Sequence, residues 1–144
     1  MDKKPLIVER VYNVPADKVW VALTNIDEIK KWYFQIEEFN PKVGFKFDFV
    51  GGPEEGPQYL HHCEITHVEE GKKLAYTWRY DNYPGNSEIT WEIFDNGDKT
   101  RLTLSHTGLE SFEENGKDFS KDSFKAGWTY FLNDALKAYL EPNK

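Results

Sequence analysis

From Phe45 to Val50 apolar and polar residues alternate, with Phe45, Phe47 and Phe49 on one face and Lys46 and Asp48 on the other. Successive side chains of a strand point to opposite faces, so this run predicts a strand with one aromatic and one wetted side. The alternation returns three times: Leu74, Tyr76, Trp78 and Tyr80 oppose Thr77 and Arg79; Ile89, Trp91 and Ile93 oppose Thr90 and Glu92; Leu102, Leu104 and His106 oppose Arg101, Thr103 and Ser105. The segments "EEGKK", "DNYPGN" and "DNGDK" separate these runs and carry turn-forming residues, which predicts an antiparallel meander.

The flanks follow a different period. Leu6 to Val14 reads as a strand ended by Pro15, whose fixed φ and missing N–H suit a helix start. Val19, Trp20 and Leu23 then share one helical face, and Asn25 is placed to cap a second short helix carrying Ile29 and Trp32. A long helix is expected from Phe119 to Glu141, stopped by Pro142 and about 30 Å long. Its apolar stripe comprises Phe124, Trp128, Phe131, Leu132, Ala135 and Tyr139, with Gly127 and Ala138 along one margin and Trp128, Leu132 and Leu136 along the other. The fold class is therefore α+β: a curved antiparallel sheet with two short helices, wrapped on a long C-terminal helix. Gly127 is costly in a helix by ~1 kcal/mol relative to alanine. It predicts that either a ligand or a neighbouring backbone uses the space.

Composition narrows the role of this fold. The 144 residues suit a single domain, 1–144, with "GGPEEGPQ" at 51–58 as an internal loop. A net charge of −7 without a basic stripe argues against nucleic acid and anionic lipid. No apolar run reaches the length of a signal peptide or a membrane span, so a cytoplasmic protein without membrane insertion is expected. Cys63 is the single cysteine and can form no internal disulfide.

In order and spacing, "VYNVPADKVWVALTN", "KKWY", "LAYTW", "TRLTLSHTGL" and "GWTYFLNDALKAYLE" make the chain resemble an SRPBCC (START-like) domain of the Hsp90-ATPase-activator-homologue (AHSA1-like) type. The resemblance implies a helix-grip fold with a deep apolar cavity between sheet and long helix. It implies little about the ligand, since one such scaffold serves carriers, receptors, cyclases and co-chaperone modules.

Trp32, Phe47, Phe49, Trp78, Trp91, Phe124, Gly127, Trp128 and Phe131 are the candidate apolar lining of that cavity. His61, Tyr76, Tyr80 and His106 add polar tips that could orient a ligand or find backbone partners instead. "HHCEITH" at 61–67 invites zinc, but adjacent strand residues face opposite ways, so no metal and no cofactor are expected. Cys63 reads as a small buried hydrophobe. The carboxylate pairs Glu37/Glu38, Glu54/Glu55, Glu69/Glu70 and Glu113/Glu114 fall at turns or strand ends, where solvation accounts for them. These observations favour a non-enzymatic binder of a small hydrophobic, flat and aromatic molecule, acting as a monomer or weak dimer. Two alternatives stay open. One is an Hsp90-type interaction module with a protein partner and a stress-response role. The chain has no room for the activator's separate N-terminal domain and lacks its Asn-rich motif, so ATPase stimulation is not expected. The other is a cyclase- or hydratase-like enzyme that moves protons through an inward His or Tyr.

Overall fold

A computed structural model describes residues 4–52 and 56–142. The alternating runs become the strands β1 (Leu6–Tyr12), β2 (Lys46–Gly51), β3 (Tyr59–Glu69), β4 (Lys73–Tyr80), β5 (Ser87–Asn96) and β6 (Lys99–Thr107). They form one antiparallel sheet in the order β1-β6-β5-β4-β3-β2. The register places Tyr76 opposite Ile89, and Ile89 opposite His106, so the inward residues of three consecutive strands lie in one row. A bulge between Ile65 and His67 shifts the β3–β4 register and helps to curve the sheet.

Two short helices, α1 (Ala16–Thr24) and α2 (Ile26–Trp32), follow β1. Pro15 is the residue that caps α1 rather than its first helical residue, and β1 ends at Tyr12, two residues before the expected Val14. Asn25 caps α2 as its chemistry predicts: its side-chain oxygen accepts from the N–H groups of Asp27 (3.0 Å) and Glu28 (3.2 Å). The end of α2 is tied to α1 by the Trp32 indole, which donates to the Ala22 carbonyl at 2.8 Å.

The C-terminal helix starts later than Phe119, because Phe119 closes a short 3-10 turn (Lys117–Phe119). Ser120 then caps α3 (Lys121–Thr129) by accepting from the Ser123 N–H at 3.2 Å. Helical winding continues through a π-helical turn (Tyr130–Ala135) into α4 (Leu136–Leu140). A π turn adds a residue to the winding, so the face beyond it moves on by about one position. For that reason Leu136 is fully buried, while the expected stripe residues Ala135 and Tyr139 are only half-buried. The turn is also where β1 holds the helix: the Tyr12 hydroxyl donates to the Leu132 carbonyl at 2.6 Å, and Arg10 Nε donates to Asn133 Oδ1 at 3.1 Å. No helix among the described residues is long and apolar enough to cross a membrane.

Candidate functional site

The sheet brings its inward rings under the C-terminal helix. Trp78 lies 5.3 Å from Trp128, and Trp91 lies 5.8 Å from Trp128 in an edge-to-face arrangement. From β2, Phe49 meets Trp78 at 5.4 Å and stacks on His61 at 4.5 Å. Phe47 packs its edge against Tyr76 at 5.1 Å. Trp32 approaches Trp91 at 6.0 Å and Phe131 at 6.3 Å. Tyr80 and Phe124 join this cluster to a neighbouring one with Phe112 and Phe119: Tyr80 meets His61 at 4.6 Å and Phe124 meets His106 at 5.2 Å, while both also pack on Phe112.

Gly127 is not part of this lining. It is exposed, and a Cβ built on it would meet nothing within 4 Å. Neither a ligand space nor a close backbone explains this glycine, because its helix position turns it to solvent.

The space between sheet and helix is filled by two residues that pattern reading passed over, Tyr33 and Phe34. They leave the end of α2 and enter the ring cluster. Tyr33 stacks near Trp128 at 6.2 Å and touches Phe131 at 5.1 Å; Phe34 stacks on Phe49 at 4.4 Å and meets Phe131 at 4.9 Å. The signal for them was "WYF" at 32–34. Three adjacent aromatics cannot share one helical face, so such a run marks a chain leaving its helix with rings still to bury.

Polar tips inside the cluster are paired, as they must be when an unpaired buried group costs ~1–3 kcal/mol. Trp91 donates to the Tyr76 hydroxyl at 3.0 Å, and that hydroxyl also pairs with the Tyr33 hydroxyl at 2.9 Å. Trp78 donates to the Tyr80 hydroxyl at 2.9 Å. Burial raises the phenols of Tyr33, Tyr76 and Tyr80, so all three stay protonated at neutral pH.

The histidines separate clearly. The Trp128 indole donates to His106 Nδ1 at 3.0 Å, which leaves the proton on Nε2; Nε2 then donates to Ser87 Oγ at 2.8 Å, and Ser87 donates to the Trp78 carbonyl at 2.8 Å. Burial pulls His106 down to about 3. His61 Nδ1 donates to the Tyr59 carbonyl at 2.8 Å, and burial lowers this ring to about 4 against the pull of its carbonyl partners. Both rings are neutral at pH 7. Cys63 is buried, and desolvation raises its thiol far from the thiolate a nucleophile needs. His62, on the outer face, bridges Asp48 (2.7 Å) and Asp81 (3.1 Å). Among the described residues no group of three or more His, Cys, Asp or Glu side chains is placed to hold a metal.

Concavities of several hundred Å³ open on the surface of the described residues. One of about 490 Å³ runs beside β2 and is lined by Glu37, Glu38, Lys46, Asp48 and Val50 among others. Another, of about 530 Å³, lies near α1 and the C-terminus, beside Lys18, Glu28 and Tyr139. Pro53 to Glu55, which include the Glu54/Glu55 pair and part of the 51–58 loop, lie outside the described residues.

Residues 13–141 match the family described as Activator of Hsp90 ATPase homolog 1-like protein. No curated protein matches the sequence. Among solved structures, protein MLL2253 from Mesorhizobium loti is 25% identical with a TM-score of 0.74, over 98% of this chain and 99% of that one. CalU16 from Micromonospora echinospora is 24% identical with a TM-score of 0.73, over 96% of this chain and 76% of that one. DynU16, a putative protein in the dynemicin biosynthetic locus, is 22% identical with a TM-score of 0.78; the match covers 100% of this chain and 49% of DynU16, so this chain spans about half its length.

Proposed function

We propose, from the premise that the chain belongs to the Activator of Hsp90 ATPase homolog 1-like family, that it binds a small hydrophobic, aromatic molecule between the sheet and the C-terminal helix, without transforming it. The observation that carries this reading is the character of the interior. Aliphatic side chains would fill a core as well, yet the space under the helix is built of rings whose hydroxyl and indole tips meet inside it, at Tyr76, Trp91 and Tyr33. Rings with a few convergent polar atoms are the usual lining of a small-molecule site. Both inward histidines are neutral, and His106 has each nitrogen engaged, which supports binding over proton transfer. DynU16 lies in a biosynthetic locus, a setting that supports small molecules as partners of this fold. The reading extends to one cytoplasmic domain, monomeric or weakly dimeric.

Trp78, Trp91 and Trp128 stand around the site and report on it. Titration with a panel of flavonoids, 1-methylnaphthalene, pyrene and palmitate should quench or shift their fluorescence saturably, at one ligand per chain, for the aromatic members. Only linear changes across the whole panel would overturn the reading. A second reading, a protein-interaction module of the Hsp90-activator kind, draws on the interior being already filled while concavities lie on the surface. Saturable capture of purified Hsp90, with no ligand bound from the panel, would put that reading first.

A further inference from the structure

Tyr33 and Phe34 occupy the middle of the proposed site, and their surroundings differ from those of ordinary core residues. Trp32 before them and Ile36 after them are buried and fixed, whereas Tyr33 and Phe34 themselves stay partly exposed. Their backbone belongs to neither helix nor strand. Phe34 has a seat shaped for it: a Cβ on Gly51 would fall 2.5 Å from Phe34 Cε1, so the ring lies where only a glycine leaves room. Tyr33 places a phenol ring against both Trp128 and Phe131, with its hydroxyl on Tyr76, whose oxygen is held in turn by the Trp91 indole. The pair therefore enters from the solvent side, and its exchange needs two side chains to swing out while both anchors stay in place.

We infer that Tyr33 is the protein's own stand-in for its ligand, and that the site takes a phenolic ring, which displaces Tyr33 and Phe34 and pairs its hydroxyl with Tyr76. This deepens the proposed function and rests on it. A site whose competent state is partly populated binds with an affinity reduced by that fraction, so the resident side chains lower the apparent affinity of any ligand that replaces them. The polar pair at Tyr76 supplies the preference, because a ring without a hydroxyl leaves the Tyr76 side of the site without its partner.

The test compares 2-naphthol with naphthalene by tryptophan fluorescence, on the wild type and on Tyr33→Ala, Tyr33→Phe and Tyr76→Phe. Expected results are saturable binding of 2-naphthol to the wild type, at least tenfold tighter than naphthalene. In Tyr33→Ala both probes tighten, 2-naphthol by tenfold or more. Tyr33→Phe keeps the ring and the fold but loses the hydroxyl pair; both probes tighten there by a smaller common factor. In Tyr76→Phe the preference for 2-naphthol falls to near unity. Cys63 gives a second readout. It is the single cysteine, is buried, and sits across from Phe47, whose ring packs against Tyr76 beneath Tyr33. Its reaction with a thiol reagent should be faster in Tyr33→Ala, with little dependence on low urea, as local opening requires. Equal binding of the two probes in every variant would overturn the phenol assignment while leaving the binding function standing. Saturable binding that no Tyr33 substitution alters would overturn the stand-in role. Absence of binding by either probe, in Tyr33→Ala as in the wild type, would overturn both.

Discussion

His106 illustrates what one residue contributes here. A histidine on the inward face of β6 suggested a proton carrier, but its neighbours leave it no such freedom. The indole of Trp128 occupies one nitrogen and Ser87 the other, so the ring is a fixed neutral spacer between helix and sheet. His106→Phe would retain the ring volume but strand the Trp128 N–H and disturb Ser87. It should cost about 2–5 kcal/mol, seen as a lower urea midpoint with unchanged slope. The His106 ring resonances of the wild type should not titrate between pH 5 and 8; a titration inside that range would revive the catalytic reading.

Among the elements, the C-terminal helix departs furthest from its pattern. Its buried positions Phe124, Trp128, Leu132 and Leu136 recur every four residues, a wider spacing than a plain α-helix holds on one face. The π turn reconciles this spacing with a helix that stays on the sheet, and Tyr12 and Arg10 meet the helix there. Gly127 sits just before the turn, on the outer side. Gly127→Ala should stabilise the protein by up to ~1 kcal/mol, from helix propensity and a less flexible unfolded chain. Gly85 makes the contrast: its φ is +114°, and a Cβ would lie 2.6 Å from the Ser111 carbonyl oxygen. Gly85→Ala should cost about 2 kcal/mol or more. Urea melts of the two variants should therefore move in opposite directions, and a loss of stability in Gly127→Ala would mean that the helix needs freedom at that point.

For the whole molecule, the histidines set how stability responds to acid. His61 and His106 are held down to about 4 and about 3, so the unfolded chain, with pKa values near 6.5, takes up protons first as the pH falls. Their stabilising contribution is complete above 6.5 and is lost as the pH drops toward those values. Each ring contributes a slope of up to about 1.4 kcal/mol per pH unit inside that window. His62 works the other way. Its pairs with Asp48 and then Asp81 raise it, so its contribution is complete below 6.5 and fades as the pH rises through the raised value. That contribution is under about 1 kcal/mol, since the pair lies at the surface. Denaturation at constant ionic strength should thus show stability falling from pH 6.5 to 4.5, with a net uptake of protons on unfolding. A flat or rising profile would contradict the buried, neutral assignment of the two rings.

The period-two runs were sufficient to identify which residues of β2, β4, β5 and β6 face inward, because strand side chains alternate by steric necessity and only one face avoids water. The Asn25 cap was equally legible, since its chemistry acts within three residues. Ring filling was not. Tyr33 and Phe34 follow no period, and their burial depends on a glycine in β2 and a helix at the other end of the chain. The shift of the buried face from Ala135 to Leu136 likewise follows a π turn held by a tyrosine 120 residues away. The protonation of His106 depends on which indole reaches it across the core. Local periodicity specifies faces and ends of elements; which side chain fills a shared space depends on distant elements meeting, and only the folded chain brings them together.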